Sequence, residues 1–170
     1  MTGRAGARRE GDGMPQREIL CIDDDVQSLK VRKILLETFD FHVTTASTPR
    51  EGLKLFRSRN LDAVVLDYQM PEMDGGEVAR KMKSLRPEIP VLMLSALPWL
   101  PQGAPRECID LFITKGGPTS KLVNELEQLI AAAPALAKAK MRGARLAGAV
   151  LGVVAEKVRG LGKEKPPLPS

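Results

Sequence analysis

The sequence predicts an α/β protein: a doubly wound sheet of five parallel strands followed by a C-terminal helical extension. Two observations carry this. Short β-branched apolar runs alternate five times with longer segments of helical spacing, the pattern that βαβ units produce. Charge is also partitioned: residues 17–131 hold 15 Lys/Arg against 17 Asp/Glu, whereas residues 132–170 hold 8 against 2, so an acidic unit precedes a basic one. With 170 residues, 43% of them hydrophobic, the chain can bury one ordinary core plus an appendage.

The expected strands are EILCI (18–22), HVTTA (42–46), DAVVLD (62–67), PVLMLS (90–95) and DLFIT (110–114). After the first, VQSLKVRKILLETF reads as a helix with Leu29, Ile34, Leu35 and Phe39 near one face. GGEVARKMKSLR follows the third strand and SKLVNELEQLIAAA the fifth, with similar spacing. The connection between strands four and five should hold a helix, yet LPWLPQGAPREC carries Pro98, Pro101 and Pro105, which break one. Pro134 is expected to end the unit.

Four segments result: a disordered leader (1–16), the α/β domain (17–133), an amphipathic basic helical extension (134–162) and a disordered tail (163–170). In the extension, Leu146, Val150, Val154, Val158 and Leu161 gather on one side of a helical wheel, opposite Arg142, Arg145, Glu156 and Arg159, with Lys157 intruding on the apolar side. Docking on the domain, self-association and contact with an anionic membrane surface through residues 136–161 all remain open for it. Met14 is an alternative start to Met1. Cys21 and Cys108 fit no zinc or disulfide spacing and read as buried thiols. No secretory signal is visible and no run reaches the roughly 20 apolar residues of a membrane span, so the expected location is cytoplasmic. His42 reads as structural, and nothing in the sequence decides the role of Trp99.

Parallel α/β sheets bind ligands outside the carboxyl ends of their strands. Strand one ends in Asp23 and Asp24, strand three in Asp67, strand four in Ser95, and strand five in Thr114 and Lys115. Three carboxylates brought together raise one another's pKa unless a cation joins them. A hard, oxygen-seeking ion suits them, and Mg²⁺ is the expected one. Such a pocket favours phosphate as its second occupant, with Lys115 balancing oxygens the ion does not reach. Asp25, third in the run, is expected to cap the first helix instead.

These motifs, CIDDD, VVLDYQMPEMDGGE, VLMLSA and FITK, in this order over residues 18 to 131, resemble the receiver domain of bacterial two-component response regulators. The resemblance implies a flavodoxin-like sheet of order 2-1-3-4-5. It makes Asp67 the phosphoacceptor for a sensor histidine kinase and a direct Mg²⁺ ligand with Asp24 and the Gln69 backbone carbonyl, while Asp23 acts through water. Lys115 would pair with a phosphoryl oxygen, Ser95 would move to hydrogen-bond it, and Phe112 holds the place of the aromatic whose rotamer follows. Pro71 and Gly75 would shape the loop after the nucleophile. Two departures stand out. The family usually has proline after the lysine, where this chain has Gly116, Gly117 and then Pro118, and the proline-broken connection falls on the face the family uses for partners.

The reading is a signalling switch rather than an enzyme, catalysing only its own phosphorylation and dephosphorylation. Only 39 residues follow Ala131 and they show no helix-turn-helix pattern, so output is expected through an unknown downstream protein, without specific DNA binding. A haloacid dehalogenase-like phosphatase is the enzymatic alternative, but its Asp-x-Asp-x-Thr signature fails at Gln27. Nucleic-acid binding through the basic tail is the third reading, and the tail has no aromatics to stack bases.

Overall fold

The computed structural model describes residues 16–141, with side chains followed as far as Lys138. The expected leader through residue 15, the two candidate starts and the amphipathic stripe from Arg142 onward lie outside the described residues. Five strands form, β1 (Arg17–Ile22), β2 (Phe41–Ala46), β3 (Ala63–Asp67), β4 (Val91–Ser95) and β5 (Leu111–Thr114), each within a residue or so of its apolar run. All pair in parallel, in the order β2-β1-β3-β4-β5. The helices are α1 (Val26–Glu37), α2 (Pro49–Ser58), α3 (Gly75–Leu85) and α4 (Thr119–Met141).

Side chains alternate across each strand, so the sheet supplies two cores. On one face Leu20, Val64, Met93 and Phe112 meet Phe56 of α2 and Val78, Ala79 and Met82 of α3. On the other, Cys21, Val65, Leu92 and Leu111 meet Leu29 and Leu36 of α1 and Val123, Leu126 and Leu129 of α4. Both cysteines are buried free thiols, and burial pushes Cys21 up to about 12. Polar side chains start the helices as their chemistry dictates: Asp25, Thr48 and Asp74 each accept a backbone N–H from the first turn of α1, α2 and α3.

Two expectations need correction, while the proline-broken connection from β4 to β5 is as expected. The buried positions of α1 are Leu29, Arg32 and Leu36, whereas Ile34 is 66% and Phe39 47% exposed. Apolar residues occur nearly all round this helix, so its spacing alone does not select a face. The connection from β4 to β5 holds only a 3-10 turn at Arg106–Cys108, because three prolines within eight residues each lack the N–H a helix needs. Leu100, Cys108 and Ile109 cover the sheet there in place of a helix, and Trp99 is 40% exposed. Finally, α4 runs through Pro134 to Met141, so the expected boundary after residue 133 falls inside a helix. Burial of Leu136 against the core holds the segment beyond the proline to the domain.

A buried ion pair between Lys83 and Asp110 secures the far edge of the sheet. Asp110 accepts the Val91 N–H at 2.8 Å, and Lys83 also donates to the Ile89 carbonyl at 2.6 Å. The starts of β4 and β5 are thereby tied to α3.

Candidate functional site

The chain leaves β1 for β2 on one side and reaches β3 on the other, so the loops after β1 and β3 diverge and leave a crevice at the strand ends. Ile22 pairs with Leu66, so Asp23 and Asp67 follow on adjacent strands. Asp23 is fully buried, Asp67 is 2% exposed and Asp24 is exposed. One oxygen of each carboxylate lies within 4.8 Å of the others. The acids expected to converge do so.

Lys115, at the end of β5, reaches across the crevice. Its Nζ lies 3.0 Å from Asp23 Oδ2 and 2.9 Å from Asp67 Oδ1. The contact with Asp23 is a directed hydrogen bond, while that with Asp67 Oδ1 is a close ionic contact without hydrogen-bond geometry. Burial raises the Asp67 pKa, and Lys115 only partly offsets this. Burial would lower Lys115, but its close contacts with the Asp67 and Asp23 carboxylates hold it above its usual range. The ammonium therefore stays charged. It also forms one wall of a cleft of about 420 Å³ between α1 and the start of α4.

The other expected residues fall as follows. Ser95 is fully buried beside Asp67's strand, where Asp67 pairs with Leu94, and its hydroxyl accepts the Leu97 N–H at 3.1 Å. Gln69 is exposed, and its backbone amide favours the ionised form of Asp67. Phe112 is 5% exposed and packed inward among the core side chains of the α2 and α3 face. Asp25 caps α1 through the Gln27 N–H and the Ser28 hydroxyl, which hold its carboxyl below the usual range. His42 contacts Glu18 across β1 and β2 at 2.8 Å, away from this edge.

Gly116 follows Lys115 with φ +85°, a left-handed backbone that glycine adopts without penalty and proline cannot. The Lys115 N–H donates to the Ser95 carbonyl at 2.7 Å, and no cis peptide occurs among the described residues. A left-handed turn thus aims the lysine where the resembling family usually has proline. Arg32 was missed by sequence reasoning, although a basic residue three positions after the buried Leu29 was its signal. Its Nη2 donates to Asp23 Oδ2 at 3.1 Å.

The family model described as the response regulator receiver domain matches residues 19–127, which include every one of these acids and the lysine. The chain belongs to this family. The receiver is 37% identical over 79 residues to the transcriptional regulatory protein ZraR of Escherichia coli O157:H7, a match covering 46% of this chain and 18% of that protein. It is 31% identical over 99 residues to GlrR of Escherichia coli K12, covering 57% of the chain and 22% of the relative. The chain therefore spans about a fifth of the length of these curated relatives. Among solved structures, the CheY-like receiver protein of Methanospirillum hungatei JF-1 superposes with a TM-score of 0.65 at 23% identity, covering 71% of this chain and 98% of that one. TrrA of Thermotoga maritima, in complex with Mg(2+)-BeF, superposes with a TM-score of 0.64 at 26% identity, covering 67% and 99%. No helix among the described residues is long and apolar enough to cross a membrane.

Proposed function

We propose that the receiver is a phosphorylation-dependent signalling switch in which Asp67 accepts a phosphoryl group from a histidine kinase. The observation that carries this is the convergence of the Asp23, Asp24 and Asp67 carboxylates with Lys115 lying between two of them. An all-oxygen donor set of this size suits Mg²⁺ with retained waters, and the TrrA complex supports the same ion. Asp24, Asp67 and the Gln69 carbonyl would hold it directly, with Asp23 acting through water. When bound, it neutralises phosphoryl oxygens.

One Asp67 oxygen attacks phosphorus in line, the bond to the imidazole nitrogen breaks, and the imidazole leaves with the electron pair. Lys115, already beside Asp67, pairs with a phosphoryl oxygen, and the Ser95 hydroxyl donates to another. Phe112 follows Ser95 by changing rotamer. The added charge biases a two-state loop and strand surface, which a downstream protein reads by contact. Such a role places the protein in the cytoplasm, where kinases present phosphohistidine.

The test is incubation with acetyl phosphate and Mg²⁺. We expect one equivalent of acid-stable, base-labile phosphate per chain. Multiple turnover with release of inorganic phosphate would instead indicate a phosphatase, and absence of both labelling and turnover would exclude both.

Val31 and Ile34 of α1 are 67% and 66% exposed, and Val31 shares the cleft wall with Lys115. An apolar strip beside the reacting edge fits a kinase helix that must deliver its phosphohistidine there. Ile34→Asp is expected to slow labelling by the cognate kinase about tenfold or more, since a charge is placed in an apolar contact. Labelling by acetyl phosphate should be unchanged. Equal slowing of both reactions would move the effect from docking to folding.

A further inference from the structure

Arg32 lies on the buried face of α1 between Leu29 and Leu36, its side chain only 9% exposed. Its Nη1 is buried without a hydrogen-bond partner. A charge is kept in such a place only where another charge holds it. That partner is Asp23, whose Oδ2 takes both Arg32 at 3.1 Å and Lys115 at 3.0 Å, while Oδ1 accepts the Asp25 N–H at 3.0 Å. Both oxygens of Asp23 are thus occupied by protein donors. Lys115 is shared with Asp67 and cannot by itself neutralise both acids.

We infer that Arg32 is a resident counter-cation for Asp23 that sets how strongly the acidic cluster takes up a divalent ion. It is a positioning residue, acting through Asp23 and touching neither phosphoryl group nor metal. The inference rests on the proposed reading of the cluster as a Mg²⁺ site. Its basis is competition and repulsion. An incoming dication must draw Asp23 away from a charged, directed donor, and it meets a fixed positive charge one carboxylate away. With Arg32 and Lys115 both present, three carboxylates face two cations, so the cluster stays nearly balanced without metal.

Calorimetric titration of the full chain with MgCl₂ tests this. Arg32→Met keeps the length and apolar stem but removes the charge, and should tighten the Mg²⁺ Kd by about tenfold. Arg32→Lys keeps the charge and should stay within about twofold of wild type. The rise in Tm produced by a fixed Mg²⁺ concentration should be larger for Arg32→Met, since ligand stabilisation follows affinity. Should Arg32→Met fail to fold, Arg32→Gln, neutral but able to donate, must show the same tightening. Wild-type affinity, or weaker, in the neutral variant that folds overturns the role of Arg32. A wild-type protein that takes up no Mg²⁺ overturns the metal reading itself, and this proposal with it.

Discussion

Asp67→Asn is expected to abolish labelling by acetyl phosphate while leaving the protein folded. The amide occupies the carboxylate's volume but offers no nucleophilic oxygen, so no acyl phosphate forms. Stability should hold or rise. Asp67 is buried beside Asp23, and both burial and that neighbour disfavour its ionised form. Its pKa is thereby raised from the ordinary 3.8, so the folded state binds the proton more readily than the unfolded chain does. The contribution of Asp67 to stability is therefore largest below the unfolded value and is lost as pH rises through the raised one. In EDTA, the stability of the variant relative to wild type should accordingly increase on going from acid to neutral pH. Stoichiometric labelling of the variant would remove Asp67 from its assigned role, and a pH-independent stability difference would contradict the cost of ionising it.

Gly75→Ala is expected to damage fold and site together. Gly75 opens α3 just after the loop that follows Asp67, and its N–H donates to the Tyr68 carbonyl at 2.8 Å. A Cβ there would run into the Asp67 carbonyl oxygen and stand 2.9 Å from the Tyr68 Cα, both backbone atoms that cannot swing aside. Relief requires α3 to move away from β3, and such overpacking costs about 3 kcal/mol. Tm should fall by about 10 °C, with labelling reduced because the Asp67 backbone is displaced. Gly117→Ala is the control: its Cβ would find only the Thr114 carbonyl, at 3.9 Å, and Tm should stay within about 1 °C. An unchanged melt and full labelling for Gly75→Ala would mean that the loop and α3 are not locked together as described.

Much of this was legible in the chain itself. Strand runs such as VVLD and VLMLS are apolar on both faces, as strands buried between two helical layers must be, and their ends carried Asp67 and Ser95. Asp25 was read as a cap and proves to be one, because its carboxylate is two and three residues from the donors it needs. Local chemistry of this kind requires no knowledge of the fold. The orientation of α1 was misread for the converse reason. Its apolar residues surround the helix, and its inward turn is coupled to Arg32 meeting Asp23, nine positions earlier and on another element. Pro134 misled similarly, since a proline weakens a helix locally while Leu136 holds it from outside.

From sequence alone came the strands, their order through the resemblance to receivers, and the acids and lysine brought to one edge. The strands and the residues at their ends follow from periodicity and from what each residue type can bond within a few positions, whereas the order rests on the resemblance. Only the folded chain decided which helix face is inward, that Gly116 is left-handed, that Lys83 and Asp110 anchor the opposite edge, and that Arg32 shares Asp23 with Lys115. Apart from the turn at Gly116, these depend on groups far apart along the chain meeting at bonding distance, and burial, which makes such meetings strong, exists only once the sheet and its two helical layers have closed.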